Sequence, residues 1–399
     1  MNIKKIKISV FSGNRAEYGL LFPILKVLKK DKYFKLNLII SGAHLEKNFG
    51  NTKKEIINDG FKKFDEVKIK RLSEDASKTP LSISSCVENI IPILKKNKPD
   101  IFIVYADRFE GFAALIASSQ MNIPTIHFEG GDKTEGGALD DSVRHAMTKL
   151  AHFHITTNDE AKNRILNLGE EKWRVKNFGF PMIDLINQGN FASEDEIYKK
   201  FKLNHKTPII LFTQHSVTTE YEKALSQIYP SIEALKELAK KGFQIIVTFP
   251  NNDIGGQSIR EKLIQYNKTY QNFNIYSSLG RYFYHGILNL NRIKNYKVIC
   301  MGNSSSGIKE TPTFKCPTIN IGSRQKNRLR GNNVIDVNYN KLEIIKAVNT
   351  SLKNKKFLDK CVSNYNPYGK GNVAKKFIKF LKNLNYNNKE KILRKKITI

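Results

Sequence analysis

The sequence predicts an α/β protein with two domains, each built on an open parallel sheet with helices on both faces. Its 399 residues exceed what one ordinary hydrophobic core accommodates. Short runs rich in β-branched residues alternate with stretches of helical periodicity, which is the pattern of βαβ units. A segment containing Pro and Gly at 178–196 interrupts this alternation, which then resumes. The chain is therefore expected to form two similar halves.

The first half contains five predicted strands, each of which leads into Gly, Ser, Asn or Asp. They are IKISVFSG (6–13), KLNLIISG (35–42), DIFIVYAD (100–107), IPTIHFEGG (123–131) and HITTND (154–159). Helical periodicity appears between or after them in YGLLFPILKVLKK, EGFAALIASSQ, DSVRHAMTKLAHF and DEAKNRILNLG. These elements predict an N-terminal α/β domain at residues 1–182.

The second half repeats the pattern with five further predicted strands. They are PIILFTQH (208–215), GFQIIVTFPNN (242–252), NFNIYSSL (272–279), YKVICMGNSSSG (296–307) and CPTINIGSR (316–324). A C-terminal domain is expected at 183–366. The helical segment NVAKKFIKFLKNL (372–384), within 367–399, is expected to pack back on the first domain. Ligands of such sheets bind beyond the carboxyl ends of the strands, so functional residues are expected there.

Composition narrows the range of partners. The chain has 67 Lys and Arg against 37 Asp and Glu, a formal charge of +30. The lysines are spread along the chain among many asparagines, and the basic run ending in NNKEKILRKK is interpreted as a solvated helix face and tail. We therefore expect no nucleic-acid partner, although a basic binding protein remains an alternative.

Sequence signals for targeting and redox environment point to the cytoplasm. The start, MNIKKIKISVFSG, lacks the apolar region and cleavage site of a signal peptide. No run reaches the roughly 18 apolar residues of a membrane span, so no membrane partner is expected. The four cysteines lack a CxxC pair, which predicts reduced thiols and no cysteine zinc site.

One short stretch collects five carboxylates in this basic chain. In HFEGGDKTEGGALDDSVRHAM, which starts at His127, they are Glu129, Asp132, Glu135, Asp140 and Asp141. Glu129 ends a predicted strand, and the two glycines after it are interpreted as allowing backbone to approach a ligand. Asp132 and Glu135 fit a solvated loop. Capping of the next helix explains one of the remaining two acids but not both.

Other polar residues fall near this cluster. Asp107 and Arg108 follow a neighbouring predicted strand. Polar residues at i, i+3, i+4 and i+7 form a stripe on the helix after the acids, which is either a surface face or part of a site: Asp141, Arg144, His145 and Thr148. Carboxylates that converge in a cleft raise one another's pKa, which suits general acid and base catalysis. Since no HxxxH or DxD pattern accompanies them, a metal site is not expected.

The second half carries a candidate nucleotide site. MGNSSSGIKE (301–310) is a strand, a Gly/Ser turn and a helix start, where N–H groups and hydroxyls can hold an anion. A plain helix cap is the alternative. Glu310 could accept both ribose hydroxyls, and Arg324 could bind phosphate with both arms of its guanidinium. His215 follows the first strand of this half.

Two further segments in the first half are less specific. SGNRAEYG (12–19) is a glycine-bounded turn that carries Arg15 and Glu17 into a helix, with an exposed ion pair as the alternative reading. It is not a GxGxxG fingerprint, so dinucleotide binding is weakly supported. His44 follows the second strand, where a single histidine is more often structural.

Together these residues resemble the hydrolysing UDP-N-acetylglucosamine 2-epimerases of the sialic-acid and legionaminic-acid type. The resemblance covers nearly the whole chain, through SGNRAEYGLL, SGAHLEKNFGNT, DRFEG, HFEGGDKTEGGALDDSVRHAMTKLAHFH, FGFP, TQHSVTTE, TFPNND, GNSSSGIKETPTF and INIGSRQ. It implies two Rossmann-like domains facing a cleft in a glycosyltransferase-B-like fold. It also implies no cofactor and a homodimer or homotetramer.

The resemblance implies a reaction and a set of residues. A base removes the C2 proton while UDP leaves, and water then adds to the glycal, giving N-acetylmannosamine and UDP. The catalytic residues it implies are Asp107, Glu129, Asp140 and His215. The residues it implies in substrate binding are Arg15, His44, Arg108, Arg144, Asn251, Ser304, Ser305, Glu310 and Arg324.

Two positions depart from the family pattern, and two functional alternatives stay open. Glu17 stands where many members have Asp, and Ala106 stands where many have Gly. The first alternative is the same reaction on UDP-2,4-diacetamido-2,4,6-trideoxyglucose. The second is a nucleotide-sugar glycosyltransferase of the same architecture, which would need an acceptor but not three carboxylates in the first domain.

Overall fold

The computed structural model describes residues 5–46, 52–69, 78–134, 139–251, 253–268, 273–363 and 365–398. The chain divides into two compact units. Unit 1 combines Met1–Lys133, Leu139–Asp184 and Gly369–Ile399, and unit 2 combines Thr134–Ala138 and Leu185–Tyr368. Within the described part of the chain, no helix has the length and apolar character needed to cross a bilayer.

Each unit is organised around one sheet. The strands of unit 1 are β1 (Ile6–Ser12), β2 (Phe34–Ser41), β3 (Asp65–Val67), β4 (Ile101–Tyr105), β5 (Thr125–Phe128), β6 (Phe153–Thr156) and β7 (Val175–Asn177). Those of unit 2 are β8 (Ile209–Thr213), β9 (Gln244–Thr248), β10 (Phe273–Tyr276), β11 (Val298–Gly302), β12 (Thr318–Ile321) and β13 (Val334–Val337).

The two sheets share one topology. The strand orders are β3-β2-β1-β4-β5-β6-β7 and β10-β9-β8-β11-β12-β13, and neighbouring strands pair in parallel throughout. The order reverses between β1 and β4 and again between β8 and β11, as in doubly wound folds. The prediction of two Rossmann-like parallel sheets is confirmed.

Helices cover these sheets and are named in chain order. They are α1 (Arg15–Lys30), α2 (Thr52–Asn58), α3 (Lys78–Asn97), α4 (Phe109–Gln120), α5 (Leu139–Leu150), α6 (Asp159–Asn167), α7 (Met182–Asn187), α8 (Glu194–Phe201), α9 (Ala224–Lys240), α10 (Gly256–Asn267), α11 (Gly280–Leu290), α12 (Ser306–Lys309), α13 (Lys341–Lys353), α14 (Lys355–Val362), α15 (Val373–Lys382) and α16 (Lys389–Leu393).

Strand prediction succeeded where strands are buried on both faces. β4, β8 and β11 are buried along their full lengths, and such strands appear in sequence as continuous apolar runs. The prediction missed β3, β7 and β13, which lie at sheet edges and have three or four residues. β3 and β7 have three residues each, which is too short for an apolar run to stand out in the sequence.

The C-terminal segment belongs to unit 1. The apolar face of α15, including the fully buried Phe377 and Leu381, contacts α1. The Asp184 carboxylate accepts hydrogen bonds from the backbone N–H of Val373 (3.0 Å) and Ala374 (2.8 Å). An acid at this position satisfies unpaired N–H groups and favours the positive end of the helix dipole.

The interpretation of the basic run as a solvated tail is wrong for Ile392 and Lys395, whereas the other basic residues at its end are exposed. Ile392 is 4% exposed. The Lys395 ammonium donates to the carbonyls of Lys149 in α5 (2.8 Å) and of Ala151 just after it (2.6 Å), and it pairs with Glu170 at 2.8 Å. Carbonyl groups at a helix C-terminus attract a cation, which explains why this lysine is held against the protein.

Candidate active site

The ends of β4 and β5 share an uncommon backbone geometry. Ala106 (φ 55°) and Glu129 (φ 61°) follow these strands directly and adopt the left-handed conformation. The Ala106 N–H still donates to the Phe128 carbonyl at 2.9 Å, so the two chain turns lie side by side. A non-glycine residue pays for this conformation in free energy. The finding gives a physical reason why glycine suits position 106.

Glu129 is held in place by a neighbouring strand. Its side chain is almost buried, at 6% exposure. The Tyr105 hydroxyl, at the end of β4, donates a hydrogen bond to Glu129 Oε2. His127 Nε2 lies 2.6 Å from the Ala106 carbonyl, and burial lowers the pKa of His127 to about 3. His127 is therefore neutral and donates to that carbonyl. The sequence analysis did not identify Tyr105.

Arg144 connects the acids on α5 to the end of β4. Its guanidinium is 1% exposed and pairs with the Asp107 carboxylate. It also donates to Asp141 Oδ1 at 2.7 Å and to the Asp132 carbonyl at 2.8 Å. The polar stripe on α5 is therefore internal at Arg144 and not a surface face. Asp140 is half-buried in the first turn of this helix, whereas Glu135 lies outside the described residues.

The glycine pair after Glu129 serves a contact within the protein. A side chain at Gly131 (φ 73°) would collide with the Ala161 carbonyl on α6. One at Gly130 would lie 3.0 Å from His127 Nδ1 and 3.1 Å from Thr148 Oγ1. The two glycines therefore allow the turn to pack closely against its neighbours, and an approach of their backbone to a ligand stays a prediction.

The segment after β2 holds His44 between two hydroxyl groups. The Nε2 atom lies 2.9 Å from Ser12 Oγ, and Nδ1 lies 2.9 Å from Thr52 Oγ1. The side chain is buried, and burial lowers its pKa to about 4. A direct sugar contact by His44 stays a prediction and would require one of these hydrogen bonds to open.

The turn after β1 contains a buried carboxyl group. Glu17 Oε2 accepts the Gly13 N–H at 2.7 Å, and burial, followed by the charge of Glu110, raises the Glu17 pKa. Arg108 Nε lies 3.5 Å from Glu110 Oε2. Arg15 Nε pairs with Glu55 Oε2 at 3.0 Å, and both side chains are partly exposed. The exposed ion pair considered for this turn therefore forms with α2.

In unit 2, Asn303 joins the ends of β8 and β11. Its N–H donates to the Thr213 carbonyl at 3.0 Å. Its side-chain oxygen accepts the His215 N–H at 2.7 Å, and its side-chain nitrogen donates to the His215 carbonyl at 2.9 Å. These bonds fix the backbone of His215 at the point where the strand order reverses. The sequence analysis quoted Asn303 within a motif but gave it no role.

Gly302 makes this junction possible. It has φ 126°, and any Cβ there would overlap the Thr213 carbonyl oxygen. Gly302→Ala is expected to lower the free energy of unfolding by about 3 kcal/mol or more, because strain and a backbone collision add. Urea denaturation measures the change.

A matched control is Gly189→Ala. Gly189 also has positive φ (67°) but has no neighbouring atom within 4 Å of an added Cβ. This variant is expected to lose only about 1–2 kcal/mol, the cost of the left-handed conformation. Equal losses in the two variants would contradict the role assigned to the Thr213 contact.

The hydrogen bonds of His215 determine its tautomer. Its Nδ1 accepts the backbone N–H of Asn251 at 2.9 Å, so the ring proton of the neutral form lies on Nε2. Burial, followed by the charge of Arg324, lowers the pKa of His215 to about 3. The ring is therefore a neutral donor near pH 7. The side chain of Asn251 donates in turn to Asp253.

Arg324 joins the same cluster. Its NH1 donates to the Asn303 carbonyl at 3.2 Å, and its NH2 lies 4.0 Å from Asp253 Oδ2. The structure thus brings together His215, Asn251 and Arg324, which were selected from three separate segments of the sequence. The sequence analysis did not identify Asp253.

The serine turn after β11 is linked by hydroxyl groups. Ser304 Oγ lies 3.1 Å from Ser306 Oγ, which lies 2.6 Å from the Tyr284 hydroxyl. Ser305 precedes α12, and its side chain makes no capping hydrogen bond. Ser304 Oγ accepts the backbone N–H of Ser306, the first residue of α12, at 3.4 Å, so a helix cap accounts for Ser304 but not for Ser305. Tyr284 was not identified from the sequence.

Glu310 lies at the other end of α12 and is 8% exposed. Its Oε2 lies 2.7 Å from Nε2 of His285, which is on α11. The sequence analysis identified Glu310 but not His285. Among the described side chains, no group of three or more His, Cys, Asp and Glu residues is arranged to hold a metal ion.

The chain is similar in sequence to several known proteins. A family model described as UDP-N-acetylglucosamine 2-epimerase matches residues 26–382. A Campylobacter jejuni protein named GDP/UDP-N,N'-diacetylbacillosamine 2-epimerase (hydrolyzing) is 34% identical over 342 residues, which is 86% of each chain. A Legionella pneumophila protein named UDP-N,N'-diacetylbacillosamine 2-epimerase (hydrolyzing) is 30% identical over 378 residues, 95% of this chain and 96% of the relative.

A solved structure shows the same fold. It is the Neisseria meningitidis UDP-GlcNAc 2-epimerase bound to UDP-GlcNAc, with a TM-score of 0.80 and 18% identity. The similarity covers 95% of this chain and 100% of that chain.

Proposed function

The chain belongs to the UDP-N-acetylglucosamine 2-epimerase family, on its hydrolysing branch, and we propose that it converts a UDP-linked 2-acetamido sugar to UDP and the free 2-epimer. The observation that carries the proposal is the placement of Asp107 and Glu129 after adjacent parallel strands. Asp107 is held by an ion pair with Arg144, and Glu129 is held by a hydrogen bond from Tyr105.

The proposed reaction has two steps. In the first, a carboxylate takes the proton from C2, the C–H electrons form the C1–C2 double bond, and the C1–oxygen bond breaks to release UDP. In the second, water adds its hydroxyl to C1, and a proton adds to C2 on the face opposite to the one from which the first proton was removed. We assign these proton transfers to Asp107, Glu129 and Asp140. Glu129 is nearly buried and the other two acids are partly buried, and carboxyl groups in such surroundings are suited to general acid and base steps.

We propose that unit 2 binds the nucleotide. The neutral His215 can donate a hydrogen bond from its Nε2–H group to the leaving diphosphate, and Arg324 can neutralise part of the diphosphate charge. The hydroxyls of Ser304 and Ser305 can donate to phosphate oxygens, and Glu310 can accept from the ribose. The predicted substrate-binding residues that remain are Arg15, His44, Arg108, Arg144 and Asn251.

The proposal also includes the identity of the substrate sugar. Two relatives of at least 30% identity carry UDP-N,N'-diacetylbacillosamine in their names. This is the 2,4-diacetamido-2,4,6-trideoxy sugar considered as an alternative from the sequence, and these relatives favour it as the first substrate. UDP-N-acetylglucosamine is the second candidate because the family model is described by it.

NMR in deuterated water tests the proposal with each nucleotide sugar in turn. The expected result is release of UDP and a free 2-epimer that carries deuterium at C2. The sugar that reacts with the higher kcat/KM is the substrate. A UDP-linked epimer would place the protein outside the hydrolysing reaction, and no UDP release from either sugar would contradict the proposed function. UDP release only after addition of an acceptor would indicate a glycosyltransferase.

A further inference from the structure

We propose that His285 determines the preference of the nucleotide site for ribose over deoxyribose by fixing the carboxylate of Glu310. This inference rests on the proposed function, in which Glu310 accepts hydrogen bonds from the ribose. His285 is a positioning residue in this proposal because it acts through Glu310.

The histidine is held rigidly in the interior of unit 2. Its side chain is 2% exposed, and its ring centroid lies 5.4 Å from that of the buried Phe314. It lies on α11, with the buried residues Gly286, Ile287 and Leu288 directly after it. A side chain buried in this way has little room to change its rotamer.

The hydrogen-bond pattern also shows which ring nitrogen of His285 carries a proton. His285 Nε2 lies 2.7 Å from Glu310 Oε2, and an ionised carboxylate only accepts, so Nε2 is the donor. His285 Nδ1 has no hydrogen-bond partner among the described residues. The hydrogen bond therefore requires a proton on Nε2 of His285.

The hydrogen bond from His285 restricts the orientation of the Glu310 carboxylate. The last torsion of a glutamate is broad and roughly two-fold, so an unrestrained carboxylate samples many orientations. Holding Oε2 removes that freedom, and the side chain remains 10% exposed, which leaves a path to a ligand. A pre-oriented acceptor loses less entropy when it binds a hydroxyl pair. It also rejects an analogue that lacks one hydroxyl, since a nearly buried acceptor is then left unpaired.

The test compares the binding of UDP and 2′-deoxy-UDP by calorimetry, and no turnover is needed. The wild-type protein is expected to bind UDP about tenfold or more tightly than 2′-deoxy-UDP, because a charged acceptor loses a hydrogen bond. His285→Leu is expected to bring the two dissociation constants within about threefold of each other, because the Glu310 acceptor is no longer oriented.

Two conservative variants of His285 separate the effect of its hydrogen bond to Glu310 from the effect of its packing. The amide nitrogen of Gln occupies the place of Nε2, and that of Asn the place of Nδ1. His285→Gln is therefore expected to keep the ribose preference, and His285→Asn to lose it. His154→Leu is the matched control, since His154 forms a similar buried pair with Glu170 at 3.1 Å in unit 1. The His154→Leu variant should prefer UDP over 2′-deoxy-UDP to the same degree as the wild-type protein.

The outcomes distinguish this inference from the proposed function. A wild-type protein that binds no UDP would overturn both. UDP binding with an unchanged preference in His285→Leu, or equal loss of preference in the Gln and Asn variants, would overturn the role of His285 alone.

Discussion

Glu129→Gln is expected to lower kcat by about a thousandfold while leaving the affinity for UDP unchanged, because it removes one of the proposed proton-transfer groups of unit 1 and leaves the proposed nucleotide site of unit 2 intact. The glutamine oxygen can still accept from the Tyr105 hydroxyl, so the turn after β5 should keep its conformation. Steady-state kinetics with the substrate, together with calorimetry with UDP, measure the two quantities separately.

A matched control is available on the same unit. Glu160 is exposed and lies in the first turn of α6, away from the strand-end acids in sequence. Glu160→Gln makes the same chemical change and is expected to leave kcat unaffected. Unchanged turnover in Glu129→Gln would remove Glu129 from the mechanism, and a parallel loss in Glu160→Gln would show that the assay reports charge in general.

Arg144→Met is expected to lower the free energy of unfolding by about 3–5 kcal/mol, because it leaves the Asp107 and Asp141 carboxylates without their buried cation. The same change should reduce kcat, since Asp107 loses the group that orients it. Urea denaturation and steady-state kinetics report the two effects.

An exposed ion pair provides the comparison. Arg394 and Glu390 have side chains that are 78% and 69% exposed, and Arg394→Met is expected to change the unfolding free energy by less than about 1 kcal/mol. Adding Asp141→Asn to Arg144→Met should recover part of the lost stability, because one uncompensated charge is removed. A loss in Arg144→Met no larger than that in Arg394→Met would contradict the importance of the buried network.

The sequence predicted the central strands and the residues at their ends for one physical reason. Parallel strands buried on both faces must be apolar, and polar residues that directly follow them are exceptional enough to notice. Asp107, Glu129, His215 and Ser304 were all found in this way. Edge strands such as β3, with the sequence Asp-Glu-Val, have no such contrast.

The partners of these residues could not be predicted in the same way. Asn303 and His215 are 88 positions apart, and His285 and Glu310 are 25 positions apart. Periodicity shows which side chains face inward, but the pairing depends on how strands and helices are arranged in three dimensions. The contact of Lys395 with α5, 246 positions from Lys149, is of the same kind.

The division of the chain into units has a consequence for biosynthesis. The apolar core of unit 2 comes from one continuous stretch, from Ile210 to Val348, so it can assemble as soon as that stretch has left the ribosome. Unit 1 is made first but receives α15 and Lys395 last. Until then, the surface of α1 that contacts α15 remains open, and exposed apolar surface on an incomplete chain favours aggregation.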